Sequence, residues 1–201
     1  MSEARTVEIV LDFVCAGSYL GFTRLQRAAI RYRADGGVVD VRFQPFQLRP
    51  DAPLDGGTHF DLLRRERGEQ TARAIADDTT LGAAEGLVFN FRKALFTDTF
   101  EAHRLLLQAS SQGRGEDMAE RLFRAYFTEG THLSDRAELT RLAAETGVEP
   151  TGVSEEELRG ALARGRELGI ESTPVFRFTN GPTLSDVQPT DTLLVALNEH
   201  R

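Results

Sequence analysis

The chain has 201 residues, a length that fits one domain or one domain with a large insertion. Its composition, 40% hydrophobic and 27% charged, is typical of a soluble globular protein, and no run approaches the ~18 apolar residues of a membrane span. The net charge of -7 argues against nucleic acid or an anionic membrane as a partner, because both select basic surfaces.

Cys15 is the single cysteine of the chain. A lone cysteine excludes an internal disulfide, a multi-cysteine metal site and any cycle between a dithiol and its own disulfide. Residues 1–6 carry no basic segment followed by an apolar one, so we predict no secretory signal and expect a cytoplasmic location.

The first 45 residues have the pattern of a β-α-β unit. Residues 7–13 contain an apolar run typical of a strand, and from Tyr19 the apolar positions follow a helical period that stops at Gly36-Gly37. Residues 39–44 alternate again between apolar and polar. Two strands joined through a helix are expected to be parallel, with a right-handed crossover.

The rest of the chain divides into a helical block and a short strand-rich end. A loop at 50–57 precedes segments with helical periodicity at 60–84, 100–111, 118–127, 136–146 and 155–168. Strand character returns at 175–178, a hairpin signal follows at Asn180-Gly181, and a last helix is predicted at 192–198. The order predicts an α/β domain, residues 1–54 with 169–201, that carries an all-helical insertion at 55–168.

Cys15 lies where the first strand meets the first helix. Free N–H groups and the helix dipole, equivalent to about +0.5 charge, favour a thiolate at such a position. The Ser18 hydroxyl, three residues on, either donates a hydrogen bond to this sulfur or caps a backbone amide. Farther along, Pro174 opens a strand, and the residues alone leave open whether its peptide bond is cis.

Several motifs resemble the DsbA superfamily of thioredoxin-fold proteins, and more closely its FrnE-like branch, which is related to 2-hydroxychromene-2-carboxylate isomerase and kappa-class glutathione transferase. These motifs are the Cys15 loop with YLG at 19–21, FQPFQLRP at 43–50, AHRLL at 102–106, LFRAYFTEG at 122–130, TPVF at 173–176 and QP at 188–189. The resemblance implies a thioredoxin-like fold with a large helical insertion, a cis bond before Pro174 and a homodimer.

The Cys15 motif departs from that family's pattern. The family's oxidoreductases carry two cysteines here, whereas this chain has Cys15-Ala16-Gly17-Ser18, and the related isomerases have serine in the first position. Asp186 also replaces a glycine that the family usually has before Gln188-Pro189. Neither a dithiol mechanism nor the isomerases' use of glutathione is therefore expected to transfer unchanged.

Three functions fit one thiol of this kind. In the first, Cys15 adds reversibly to a conjugated double bond and isomerises an unsaturated, polyene- or polyketide-type small molecule of secondary metabolism, free or carrier-bound, without a cofactor. In the second, glutathione resolves a mixed disulfide on Cys15, which makes the protein a monothiol thiol–disulfide oxidoreductase. In the third, the protein is a non-catalytic binding module.

We assign catalytic roles to Cys15 and Ser18 and substrate contacts to Asp12, Tyr19, His103, Thr173, Pro174 and Gln188. Besides the two alternatives for the Ser18 hydroxyl, alternatives stay open for three of them. Asp12 is either a carboxylate that tunes proton transfer at the thiol or a structural acid, and Tyr19 either packs in the core or faces the pocket. His103 is either a core histidine or close to the site. The remaining histidines, His59, His132 and His200, lack metal-ligand spacing, so no metal site is predicted.

Overall fold

A four-stranded sheet and eight α-helices make up the computed structural model, which describes residues 4–54, 56–149 and 151–199. The chain divides into two units, Met1–Leu48 with Val153–Arg201, and Arg49–Gly152. In the first unit the elements are β1 (Arg5–Leu11), α1 (Ala16–Ala34), β2 (Val39–Pro45), α7 (Glu155–Glu167), β3 (Val175–Phe178), β4 (Thr183–Ser185) and α8 (Thr190–Asn198). In the second they are α2 (His59–Arg67), α3 (Glu69–Ala76), α4 (Phe100–Ser111), α5 (Gly115–Arg124) and α6 (Arg136–Thr146).

The sheet has the strand order β2-β1-β3-β4. Strands β1 and β2 are parallel, as expected for a β-α-β unit, and Ile9 pairs with Phe43. Strand β3 is antiparallel to both β1 and β4, so the predicted C-terminal hairpin is present. The α/β class with a helical block between strands of one sheet is confirmed.

Apolar residues of β1 are buried on both faces of the sheet, because successive side chains of a strand point to opposite sides. Val7, Ile9 and Leu11 are fully buried, and so is Val10 on the other face, where it packs with Phe46. Burial on both faces explains the apolar run that indicated this strand in the sequence. The same burial anchors the start of the loop that carries Cys15.

Helix α7 packs against β2 within the first unit. The Gln44 side-chain amide donates a hydrogen bond of 2.6 Å to the Ala161 carbonyl, and a methyl at Gly165 would lie 3.1 Å from the Pro45 carbonyl. By these contacts α7 lies with the sheet, whereas the predicted boundary at residue 168 assigned its residues to the insertion. That domain division remains a prediction.

The helical unit differs from the sequence expectation in its first segment. The predicted helix at 60–84 is two helices, α2 and α3, separated by Gly68, whose φ of 83° is incompatible with a continuous α-helix. A single 3-10 turn, Ala83–Glu85, follows. Between Leu63 and Ala72 the chain carries only polar residues and Gly68, so the apolar positions of α2 and α3 do not form one continuous helical series.

The segment predicted as a helix at 118–127 also ends differently. Helix α5 stops at Arg124, and residues Ala125–Glu129 form a π-helical turn that ends at Gly130 with φ 77°. This turn is hydrogen-bonded to the irregular segment 86–99, where the Asn90 N–H donates to the Phe127 carbonyl at 2.7 Å. Among the described residues, no helix combines the length and apolar character needed to cross a membrane.

Candidate active site

Cys15 is the N-cap residue of α1. Its backbone is extended, with φ −95° and ψ 111°, and its Sγ accepts a hydrogen bond of 3.4 Å from the Ser18 N–H. The side chain is half-buried. One of the free N–H groups in the first turn of a 19-residue helix therefore contacts the sulfur, which lies at the positive end of the helix dipole.

The Thr173 carbonyl lies on another side of the sulfur, 3.3 Å away, and accepts the Cys15 S–H. The Thr173–Pro174 peptide bond is cis, which answers the question that the residues alone left open. The two contacts differ in direction, because the Ser18 N–H donates to the sulfur whereas the Thr173 carbonyl accepts from it. Chain segments 158 residues apart thus converge on one sulfur atom.

Asp12 organises the loop that carries the thiol. It lies one residue beyond β1 and is 1% exposed. Its carbonyl accepts the Cys15 N–H at 3.1 Å, its own N–H donates to the Ser18 hydroxyl at 3.3 Å, and its carboxylate accepts the Leu48 N–H at 2.8 Å. These contacts tie the loop to the segment that follows β2, so a structural role for Asp12 is supported by geometry.

The Ser18 hydroxyl faces Asp12 and not the thiol. Ser18 is fully buried, and within the described residues its Oγ accepts the Asp12 N–H and makes no hydrogen bond with the Cys15 sulfur. Of the two alternatives at the sequence level, this arrangement corresponds to the capping of a backbone amide. The catalytic role assigned to this hydroxyl remains a prediction.

An apolar wall, which we define as Gly17, Pro174 and Val187, borders the sulfur. A methyl at Gly17 would lie 3.4 Å from Val187 Cγ2, 3.5 Å from Pro174 Cδ and 3.6 Å from the Cys15 Sγ. A methyl at Gly21 would lie only 2.8 Å from Pro174 Cγ, so glycine is needed there for the ring to approach α1. Sequence reasoning missed Val187, although it directly precedes the predicted contact Gln188.

Asp186 turns the chain so that Val187 reaches the wall. Its φ of 63° is left-handed, and its N–H donates to the Pro174 carbonyl at 3.0 Å. A glycine takes this backbone conformation without strain, which fits the glycine that the resemblance implies at this position. The half-buried Gln188 donates its side-chain amide to the Ser185 carbonyl, and its predicted substrate contact remains a prediction.

Two other predicted residues are buried. Tyr19 is 2% exposed in the first turn of α1, which supports the alternative that it packs in the core. His103 is fully buried in α4, within the helical unit, where its backbone N–H donates to the Thr99 carbonyl. Seven of the eight predicted residues lie in the first unit, and five of them are joined by the contacts described around the thiol: Asp12, Cys15, Ser18, Thr173 and Pro174. The role of His103 stays a prediction.

The other histidines have structural contacts. His59 lies among the rings of Phe91, Phe96, Tyr126 and Phe127, and its Nδ1 is 3.2 Å from the Tyr126 hydroxyl. Burial lowers the pKa of His59 to about 4, so the ring is neutral at pH 7. His132 Nδ1 pairs with the Ser134 hydroxyl at 2.9 Å, and His200 is outside the described residues.

Comparison with known proteins gives relatives along nearly the whole chain. The "Uncharacterized protein YwbO" of Bacillus subtilis is 25% identical over 147 residues, which cover 71% of this chain and 66%, just under two thirds, of that protein. The crystal structure of a probable DsbA oxidoreductase from Streptomyces coelicolor has 27% identity and a TM-score of 0.79, covering 97% of this chain and 89% of the other.

The fold is also similar to that of a 2-hydroxychromene-2-carboxylate isomerase, at 13% identity and a TM-score of 0.67, with 96% of this chain and 93% of the other covered. The model of the DSBA-like thioredoxin domain matches residues 6–198. The sheet order, the helical block, the thiol at the start of α1 and the cis bond before Pro174 agree with this match. The chain belongs to the DSBA-like thioredoxin domain family.

Proposed function

We propose that this protein is a monothiol enzyme whose Cys15 catalyses cis–trans isomerisation of an unsaturated small molecule by reversible covalent addition. One observation carries the proposal: the chain's single thiol sits at the N-cap of α1, half-buried, with the Ser18 N–H 3.4 Å from its sulfur. The family includes both oxidoreductases and an isomerase, so thiol-based chemistry of either kind is compatible with the fold.

Isomerisation suits a single thiol because it needs no electron acceptor. The Cys15 thiolate forms a C–S bond to one carbon of the double bond, and the electron pair of that bond moves into the conjugated system. Rotation occurs about the resulting single bond. The electron pair then returns, the C–S bond breaks, and the thiolate leaves with the double bond in its other geometry.

Site-directed variants test the proposal with a panel of cis-configured conjugated aldehydes and acids. We expect isomerisation by the native protein, a covalent adduct on Cys15 in intact-mass spectra, and background rates for Cys15→Ser. Ser111→Ala, a change at the last residue of α4 in the helical unit, serves as the matched control and is expected to keep full activity. Full activity of Cys15→Ser would end the proposal.

A second candidate is a glutathione-coupled thiol–disulfide oxidoreductase, favoured by the 27% identity to a probable DsbA oxidoreductase. The Cys15 thiolate would attack a glutathionylated thiol, release that thiol and become a mixed disulfide with glutathione; a second glutathione thiolate would then restore Cys15 and release oxidised glutathione. This route predicts that the isolated mixed disulfide is reduced by glutathione at the turnover rate. A mixed disulfide that reacts more slowly than turnover excludes it.

Further expectations accompany these two candidates. The enzyme is proposed to be a cytoplasmic homodimer that acts on a small molecule of secondary metabolism, free or carrier-bound, and not on nucleic acid or a membrane. Glutathione takes part only in the second candidate, and no metal or other cofactor is expected. If alkylation shows an unreactive Cys15 in the native protein, both candidates fail and a non-catalytic binding module becomes the function to test.

A further inference from the structure

The Thr173 side chain holds a buried hydroxyl for which the described residues provide no hydrogen-bond partner. Thr173 is 8% exposed. A buried hydroxyl without a partner gives up its hydration without compensation, and such groups are rare enough in folded proteins that each one calls for an explanation. A valine has nearly the same shape and would avoid this cost, so packing alone does not account for a threonine here.

The position of Thr173 links this hydroxyl to the reacting sulfur. The carbonyl of the same residue is 3.3 Å from the Cys15 Sγ, so a small molecule bonded to that sulfur lies next to Thr173. The apolar wall lies near the same sulfur, because a methyl placed at Gly17 would touch Pro174, Val187 and the Cys15 Sγ alike. One unsatisfied donor beside an apolar surface is the pattern of a site for a mostly apolar ligand with one polar atom.

We propose, building on the function above, that the substrate is an α,β-unsaturated carbonyl compound with an apolar substituent on the attacked carbon. The Thr173 hydroxyl donates a hydrogen bond to the carbonyl oxygen, and the substituent packs against Pro174 and Val187. The chemistry requires such a group, because a hydrocarbon double bond offers no atom to accept the electron pair that thiolate addition displaces.

The addition step balances with these groups alone. The Cys15 sulfur bonds to the β-carbon, the π pair shifts between the α-carbon and the carbonyl carbon, and the carbonyl π pair moves onto oxygen to give an enolate. The Thr173 O–H stabilises this oxygen most strongly when it carries the charge, and it keeps its proton throughout. Elimination reverses each electron shift after rotation about the α–β bond.

Two reagents separate this role from general thiol reactivity. Acrylamide forms an enolate when the thiolate adds, whereas iodoacetamide loses iodide and forms none. We expect Thr173→Val to lower the ratio of the acrylamide rate to the iodoacetamide rate at Cys15 by about 10-fold or more, in line with the loss of one oxyanion donor. Thr173→Ser keeps a hydroxyl and is expected to keep the ratio.

The apolar wall is tested with acrylamide and crotonamide, which differ by one methyl on the attacked carbon. We expect Val187→Ala to lower the ratio of the crotonamide rate to the acrylamide rate by about 4-fold, the effect of one buried methylene. Val195→Ala on α8, where the side chain is 56% exposed, is the control and is expected to leave this ratio unchanged.

The outcomes distinguish this inference from the function on which it rests. Suppose that the native Cys15 reacts with iodoacetamide but Thr173→Val leaves the ratio of the acrylamide rate to the iodoacetamide rate unchanged. This result overturns the inference and leaves the monothiol function standing. If Thr173→Val lowers the acrylamide and iodoacetamide rates equally, the inference is also overturned, because the hydroxyl would then affect only the reactivity of the thiol. A native Cys15 inert to both reagents overturns the inference and the proposed function together.

Discussion

Gly21 allows the closest approach between α1 and the strand segment that carries Pro174. A methyl at this position would be 2.8 Å from Pro174 Cγ and 3.0 Å from Phe176 Cζ, closer than carbon atoms approach without strain. Both neighbours are buried, so neither can move aside cheaply. The geometry around the thiol therefore depends on the absence of one side chain.

We expect Gly21→Ala to lower the free energy of unfolding by about 1–3 kcal/mol, the usual cost of overpacking a buried contact. Urea denaturation followed by circular dichroism measures it. Gly17→Ala is the matched control on the same helix, because its methyl would meet its neighbours at 3.4 Å or more. Equal destabilisation by both changes would contradict this account.

Asp186 is a second residue whose backbone conformation matters, since its φ of 63° is strained for most L-residues. We expect Asp186→Ala to be less stable than Asp186→Gly by about 1 kcal/mol, because alanine keeps the strain without the local hydrogen bonding that aspartate can make. Thermal unfolding of the two variants measures the difference. An Ala variant as stable as the Gly variant would show that this turn relaxes on substitution.

At the scale of elements, the start of α2 depends on an aromatic cluster. His59, the first residue of α2, contacts rings from the 86–99 segment and from the π-helical turn, and the nearest ring centroid, of Phe91, is 5.3 Å away. The His59 N–H donates to the Ala94 carbonyl, so main chain and side chain both hold the helix start. A neutral imidazole suits this surrounding, and a charged one does not.

This burial predicts a loss of stability in mild acid. The pKa of His59 is about 4 in the folded protein and about 6.5 when unfolded, so below pH 6.5 the unfolded chain binds a proton that the folded chain does not. The resulting stability is present above pH 6.5 and is lost as the pH falls toward 4. We expect a loss of about 2 kcal/mol between pH 7 and pH 5 from this residue.

His59→Gln removes that titration, so the native protein is expected to lose more stability than the variant between pH 7 and pH 5. Chemical denaturation at each pH, with His132→Gln as a control for a histidine outside the aromatic cluster, measures the difference. Parallel pH profiles for the native protein and His59→Gln would contradict the assignment.

At the scale of the whole molecule, the helical unit contains its own core. Its fully buried side chains include six large ones from α4, α5 and the π-helical turn: Leu106, Met118, Leu122, Phe123, Tyr126 and Phe127. We expect residues 49–152, expressed alone, to unfold in one cooperative thermal transition. In the same fragment, Leu106→Ala should lower the free energy of unfolding by about 2–5 kcal/mol. A fragment without a cooperative transition would contradict the independence of this unit.

The periodicity of apolar residues predicted the helices and strands that bury one regular face. The helices at 100–111 and 136–146 match the structure to the residue, and the parallel strands follow from the β-α-β pattern. The predicted helix at 60–84 ran across the break at Gly68, although no apolar side chain lies between Leu63 and Ala72. Periodicity did not detect the π-helical turn, because that turn depends on backbone conformation. Gly68 itself was a weak signal of the break between α2 and α3.

The sequence predicted a site residue only where its role depends on its neighbours along the chain or on a recognised motif. Cys15 was found from its place between strand and helix, and Thr173 and Pro174 from the resemblance. The Asp12–Ser18 hydrogen bond and the position of Val187 were not found, since both depend on how separate segments approach. No spacing within the sequence encodes a contact between residues 17 and 187.

The π-helical turn makes the helical unit sensitive to the length of its chain. Five residues, Ala125–Glu129, occupy a turn that is wider than an α-helical one, and this leaves the Phe127 carbonyl for Asn90 and brings the Thr128 hydroxyl to the Val88 carbonyl. Removing one residue would restore a regular α-helix and rotate everything beyond it by about 100°. Substitutions that keep the number of residues in this turn can therefore accumulate, whereas a single-residue deletion would release the 86–99 segment. Evolutionary change in this stretch is constrained more by the number of residues than by their type.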